Sequence, residues 1–413
     1  MLTHEENELL TRVGPGTPMG KLFRSYWLPA LFSKEIPGPD CPPVRVKLLG
    51  EDLIALRDSE GKVAIVDEYC PHRRVSLFFG RNEQCGIRCA YHGWKFDVEG
   101  TCVDMPSEPP TSTFKDKVQL TAYPCKEHSG IVWVYMGDKA AIPEFRELDW
   151  MKADDSHRYI GKTTQETSFM TAMEGTFDSA HINFLHRGTL FVTENSRSID
   201  DIMTLPKIYP IPKEHGVAVG ASRPKNEDIS YFRISHFVMP CFSMVPESVD
   251  DSARAGFVFV PMDDEKTTIF TVSWNVRRPL TLEERTDYDN GTSIHNKNIP
   301  GTFKPMANRS NNYLINRDLQ ASGVSFTGIS GIAAEDLAVQ ESSGRILDRT
   351  KERLGTSDVA IIAVRKRLMD AAKALLTGET PPGLSINQYT IYPVGTEIKT
   401  DENPEDVIKR FSY

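Results

Sequence analysis

No apolar run in this 413-residue chain reaches the roughly 18 residues that a membrane-spanning helix needs. The strongest, Ile131-Val132-Trp133-Val134-Tyr135, has the length and β-branched character of a strand. The opening residues, Met1-Leu2-Thr3-His4-Glu5-Glu6, carry neither the basic region nor the apolar core of a signal peptide. Basic residues are outnumbered 48 to 57, and the net charge of −9 argues against nucleic acid or an anionic membrane as partner. The seven cysteines are an odd number without the spacing of a disulfide framework. A reducing cytoplasm is therefore the expected setting, one in which cysteines are inert or bind metal. Internal repeats and low-complexity tracts are also missing. What is present is the balance of a globular protein, 39% hydrophobic and 25% charged, in a chain long enough for two domains.

Residues 1–36 carry mixed helical signals, broken by Gly14-Pro15-Gly16-Thr17-Pro18, and are expected to form a helical segment packing on the catalytic domain. Residues 37–145 read as a small all-β domain of short alternating or β-branched runs, such as Val44–Leu49, Val63–Val66 and Gly130–Val134, separated by glycine turns. The stretch Ala140–Ser156, bearing Pro, Asp and Glu, marks the boundary. Residues 146–413 are mixed. A helix is expected around Met170–His186, with strands at Tyr231–Val238, Gly256–Val260 and Thr268–Val276. A helical tail follows over Glu335–Leu376, its candidate buried positions being Leu337, Ile346, Leu354, Ile361, Val364 and Leu368. Strands followed by helices in one unit indicate an α+β fold class.

Two short loops hold the first chemical signal. Cys70-Pro71-His72 is followed, 16 residues on, by Cys89-Ala90-Tyr91-His92-Gly93-Trp94. Two Cys and two His could bind zinc or an iron–sulfur cluster. A Rieske 2Fe–2S centre needs two thiolates on one iron and two imidazoles on the other, so each loop must supply one of each. The Cys-x-His and Cys-x-x-His spacings do so, whereas a zinc finger more often pairs Cys with Cys and His with His.

A second signal is Asp178-x-x-His181-x-x-x-x-His186. Non-haem Fe(II) oxygenases hold iron with two His and one carboxylate, leaving the opposite face open. On a regular helix residues five apart diverge by about 140°, so the two histidines share a metal only where the helix ends, bends or bulges. Asp178 and His181, three apart, would lie about 60° apart on a helix and share a face. The third ligand must come from elsewhere. Gly331–Glu341 offers Glu335, Asp336 and Glu341, and periodicity does not choose between Glu335 and Asp336.

These motifs resemble the Rieske-type non-haem iron ring-hydroxylating oxygenases. The likeness runs from Gly14-Pro15-Gly16-Thr17-Pro18-Met19-Gly20 through Tyr26-Trp27-Leu28-Pro29-Ala30, Tyr91-His92-Gly93-Trp94 and Glu174-Gly175 to the region after Gly344-Arg345. It is similar above all to the phthalate 4,5-dioxygenase branch. Val75 and Tyr91 stand where respiratory Rieske proteins would place the cysteines of an extra disulfide, which favours the oxygenase type. The resemblance implies a START-like, helix-grip catalytic domain with an antiparallel sheet. It also implies one 2Fe–2S cluster on Cys70, His72, Cys89 and His92, and one mononuclear Fe(II) on His181, His186 and Asp336. Asp178 is then expected to carry electrons between centres, reaching His92 or His72 of a neighbouring subunit. Glu174, where an Asn often sits in the family, is a departure.

The implied activity is O2-dependent cis-dihydroxylation of an aromatic carboxylate, the alternative being O-demethylation of an aryl ether acid. Electrons come from NAD(P)H through a separate flavin and iron–sulfur reductase, and the chain is expected to form a homotrimer or stacked trimers. A carboxylate substrate needs a cationic anchor, for which Arg233 is the first candidate, with Arg223 and Arg197 behind it. A non-catalytic Rieske electron carrier would leave roughly 260 residues and the second His pair without a role.

Overall fold

The computed structural model describes residues 2–187, 204–246, 252–384 and 391–411. By internal contact it divides into Val13–Phe145 and a second unit made of Met1–Arg12 with Arg146–Tyr413. No helix among the described residues is long and apolar enough to cross a membrane.

In the first unit the strands are β1 (Trp27–Phe32), β2 (Val44–Leu48), β3 (Glu51–Arg57), β4 (Val63–Asp67), β5 (Arg81–Asn82), β6 (Ile87–Arg88), β7 (Lys95–Phe96), β8 (Cys102–Asp104), β9 (Ala122–Tyr123), β10 (Cys125–His128) and β11 (Ile131–Tyr135). They form three small antiparallel sheets, ordered β2-β3-β4-β9, β5-β6-β7-β8 and β1-β11-β10. Leu48 faces Glu51 across the β2–β3 hairpin, and the two residues between them, Leu49 and Gly50, both take positive φ, which matches the strand twist. One core joins the first two sheets: Ile54, Leu56, Val66, Ile87 and Phe96 pack with Cys70, Cys89 and Trp94. The segment expected to be helical over residues 1–36 is divided. The helix His4–Thr11 belongs to the second unit, while Pro18–Arg24 and strand β1 belong to the first, because β1 pairs along its length with β11.

The second unit is built on an antiparallel sheet of eight described strands: β12 (Arg158–Gln165), β13 (Lys207–Lys213), β14 (Gly216–Pro224), β15 (Ile229–Val238), β16 (Phe242–Val245), β17 (Arg254–Pro261), β18 (Thr267–Trp274) and β19 (Val394–Lys399). The order is β12-β18-β17-β16-β15-β14-β13, with β19 on β15. Alternation along β15 sends Phe232 and Ile234 into a core with Ile398, Val407 and Ile408, and turns Arg233 and Ser235 to the other face. The long helix Val359–Leu376 packs on β13 and β14 and buries Ala360, Ile361, Val364 and Leu368.

Two helical expectations are corrected. The helix expected over Met170–His186 stops at Glu174, and a 3-10 turn at His181–Asn183 replaces its second half. Beyond that stop Asp178 sets a turn that competes with helix: its Oδ1 accepts the N–H groups of Ala180 and His181 at 2.9 and 3.2 Å. The tail over Glu335–Leu376 is two helices, Ile332–Ser342 and Val359–Leu376, broken after Ser343 by Gly344 at φ 98°. Leu337, Ile361, Val364 and Leu368 are buried, but Ile346 and Leu354 lie in the link and are only half-buried.

Candidate metal centres and the cavity beside them

The two cysteine loops share one hydrogen-bonded frame. The N–H of Cys70 donates to the carbonyl of Val75 at 2.9 Å, and the N–H of Arg74 returns to the carbonyl of Cys70 at 2.9 Å. In the second loop Cys89 donates to Trp94 at 2.8 Å and Gly93 returns to Cys89 at 3.0 Å. The fourth residue after each cysteine has positive φ, 56° at Arg74 and 77° at Gly93. Gly93 is required for space as well, since a Cβ there would stand 2.7 Å from the Pro106 ring.

This frame brings the four sequence-expected ligands together. Cys70 and Cys89 are buried in the core, and the His72 and His92 rings stand 4.5 Å apart. His72 lies flat on Trp94 at 4.3 Å, and the Trp94 Nε1–H is fixed by Ser107 at 3.0 Å. Burial pushes the Cys70 thiol up to about 11, with Cys89 adding to the effect. Such a pair becomes thiolate only when a cation shares it. His92 Nδ1 is buried and has no hydrogen-bond partner. Two buried thiols and two imidazoles, one with an unbonded nitrogen, fit a Rieske cluster. All seven cysteines are free thiols, so no disulfide links the loops.

In the second unit His181 and His186 meet Asp336. Their Nε2 atoms lie 3.1 Å apart, and Asp336 Oδ1 is 3.7 Å from the first and 3.6 Å from the second. The 3-10 turn makes the five-residue spacing work, because the chain tightens at His181–Asn183 and turns away at Phe184. Each Nδ1 faces an acceptor: the main-chain carbonyl of Asp178 for His181, and Glu335 Oε2 at 2.9 Å for His186. The ring protons therefore sit on Nδ1, leaving two bare Nε2 lone pairs and a carboxylate oxygen converging on one point. That convergence calls for a cation, and the two-His, one-carboxylate donor set is that of non-haem iron. Without a cation the same field charges His186: burial opposes charging, but Asp336 and Glu335 outweigh it and raise the imidazole to about 9, so a metal ion entering the site displaces a proton from Nε2 to reach its lone pair.

Position on the helix Ile332–Ser342 separates the two carboxylates that periodicity left open. Asp336 faces the Nε2 atoms, while Glu335, fully buried, faces the outer nitrogen of His186. Glu341 is elsewhere, accepting from Glu166 N at 2.8 Å and Tyr313 OH at 2.7 Å. Asp178 does not place its carboxylate on the His181 ring nitrogen as a helix would have it. Oδ2 is 3.9 Å from Nδ1, and the carbonyl takes the close contact.

A cavity of about 420 Å³, within the range of small-molecule sites, lies between this centre and the sheet. Its walls include Val219, Phe257, Phe259, Ile269 and Leu337. Arg233 lines it, 7% exposed; its backbone is paired within the sheet, and no hydrogen bond or ion pair joins its side chain to another described residue. Arg223 is committed instead, donating to Thr204 O at 3.1 Å and to Ser179 O and Oγ at 2.6 and 3.1 Å. It braces the Asp178 turn and does not line the cavity. Arg197 lies outside the described residues.

Glu174, whose role the sequence left open, is an anchor. It receives Arg365 Nε at 2.7 Å, and Arg365 is held in turn by Glu352 at 2.6 and 2.9 Å. This ties the helix Phe169–Glu174 to Val359–Leu376. Sequence reading missed Arg365 and Glu352 because nothing local marks a partner 191 residues away.

Residues 26–119 match the model described as "Rieske [2Fe-2S] domain", and residues 134–393 match "LigXa C-terminal domain like". The chain is 37% identical to the 3-chlorobenzoate-3,4-dioxygenase oxygenase subunit of Comamonas testosteroni, over 94% of this chain and 93% of that one. It is 36% identical to the phthalate 4,5-dioxygenase oxygenase subunit of Pseudomonas putida, over 93% and 89%. Among solved structures, the Pseudomonas putida CBB5 NdmA QL mutant with theobromine superposes with a TM-score of 0.61. It covers 87% of this chain and 93% of its own at 19% identity, a likeness of fold.

Proposed function

Because the chain belongs to the Rieske non-haem iron aromatic ring-hydroxylating oxygenases, as an oxygenase component with a 2Fe–2S cluster and a mononuclear iron, we propose that it cis-dihydroxylates an aromatic carboxylate of the phthalate or chlorobenzoate kind. Cys70, His72, Cys89 and His92 would hold the cluster, and His181, His186 and Asp336 the iron. When bound, these groups supply single electrons and O2 activation. Electrons would come from NAD(P)H through a separate flavin and iron–sulfur reductase. The chain would work as a homotrimer or stacked trimers, consistent with the exposed aromatic side chains beside each centre, Tyr91 at 52% and Phe184 at 56%.

The observation that carries the substrate class is Arg233. Its side chain lines the cavity without an acidic partner among the described residues, so its guanidinium is available to a substrate carboxylate in bidentate geometry. The apolar walls then receive the ring and exclude water. Feeding the reconstituted system NADH with a panel of phthalate, chlorobenzoates and methoxybenzoates tests the reading by product analysis. A cis-dihydrodiol supports it, whereas a phenol with formaldehyde replaces it by O-demethylation. Arg233→Met is expected to raise KM for the carboxylate roughly 10- to 100-fold, from about 1.5–3 kcal/mol for a charge-assisted bond. A neutral ester of the same acid should be unaffected, and equal effects on both would make Arg233 structural.

Asp178 is proposed to serve electron transfer without binding iron. Asp178→Asn preserves the turn, since an amide oxygen caps N–H groups as well as a carboxylate does. Both metal centres should stay loaded, while single-turnover reoxidation of the reduced cluster slows by orders of magnitude. Reoxidation at the wild-type rate would leave Asp178 a turn former only.

A further inference from the structure

We infer that Glu335 is a positioning residue for the mononuclear centre: its carboxylate fixes the tautomer and donor strength of His186, and Thr327 holds that carboxylate in place. The inference rests on His181, His186 and Asp336 being the metal ligands. Glu335 and Asp336 are consecutive on the helix Ile332–Ser342, so at about 100° per residue their side chains diverge. The divergence places one imidazole between two carboxylates. Asp336 Oδ1 lies 3.6 Å from His186 Nε2, and Glu335 Oε2 lies 2.9 Å from Nδ1 of the same ring.

Glu335 is fully shielded from solvent, where a carboxylate persists only if its oxygens are bonded. Both are: Oε2 faces His186, and Oε1 accepts from Thr327 Oγ1 at 2.6 Å. Thr327 belongs to a segment fastened to the ligand turn. The neighbouring Phe326 donates its N–H to Arg187 O at 3.2 Å, and its ring packs beside Phe184, which sits between the two histidines in sequence. At His181 the close acceptor of Nδ1 is a neutral main-chain carbonyl, and the nearest carboxylate oxygen, Asp178 Oδ2, stands off at 3.9 Å. The two imidazoles are therefore unequal. A charged acceptor makes His186 the stronger donor and holds its ring against rotation.

The test uses the full chain with its cluster loaded, stripped of mononuclear metal and titrated with Co(II). Wild type should bind one equivalent, lost in His181→Ala; a wild type that takes up none overturns the ligand assignment on which the inference stands. Glu335→Gln keeps the shape and an acceptor for Nδ1–H but removes the charge. Co(II) affinity should fall roughly 10- to 100-fold, and the visible ligand-field bands should shift. Thr327→Val, which leaves Glu335 in place, should move both readings in the same direction by less. Thermal unfolding of the metal-free proteins should not differ. Wild-type Co(II) affinity and unshifted bands in both variants would make Glu335 an anchor for the 323–331 segment and nothing more.

Discussion

Replacing Asp336 with alanine should remove the mononuclear iron and take aromatic turnover to background while leaving the cluster's spectrum intact. The substitution deletes the one carboxylate, among the described residues, whose oxygen lies within 3.7 Å of both Nε2 atoms. Glu335 does not step in, because its two oxygens are engaged with His186 and Thr327. Alanine is the best helix former, so the helix Ile332–Ser342 should persist. Iron content should fall from about three to about two per chain, the remaining two belonging to the cluster. An Asp336→Ala protein with full iron and normal turnover would move the third ligand elsewhere.

Cys89→Ser should bleach the visible absorption of the cluster and abolish its reduction by the reductase. The side chain is 3% exposed and sits in the core with Cys70 and Trp94. A serine hydroxyl is isosteric, so the loop bonds from Cys89 N to Trp94 O and from Gly93 N to Cys89 O should survive. What disappears is the soft, ionisable donor that iron–sulfur clusters select. The mononuclear iron, in the other unit, should remain loaded at about one per chain. A variant with an unaltered 2Fe–2S spectrum would show that the thiolates come from other cysteines.

Much of the site was legible because metal chemistry imposes spacing. Cys-x-His with Cys-x-x-His, and His-x-x-x-x-His after them, mark candidate ligands by residue type and interval, and the family resemblance adds which metal group each set would hold. The all-β unit was legible as well, since short β-branched runs and glycine turns are local properties of Val44–Leu48 and Val63–Asp67. The sequence misled where a side chain competes with the backbone. Asp178 looks like a helix residue aimed at His181, yet it lies beyond a helix that stops at Glu174, and its oxygen accepts the N–H groups of Ala180 and His181 in a turn.

The sequence by itself carried the donor types of both candidate centres, the change from an all-β to a mixed pattern along the chain and, through its resemblance, the oxygenase family. Only the tertiary structure decided how neighbours divide labour. Glu335 and Asp336 differ by one residue in the chain, but a 100° step on a packed helix sends one to the inner nitrogens and one to the outer. Arg223 and Arg233 look alike in sequence. One is consumed by Ser179 and Thr204, and the other is left facing the cavity. Such assignments depend on which groups from distant segments arrive within hydrogen-bond reach, and bonds of about 3 Å are fixed by packing rather than by any interval along the chain.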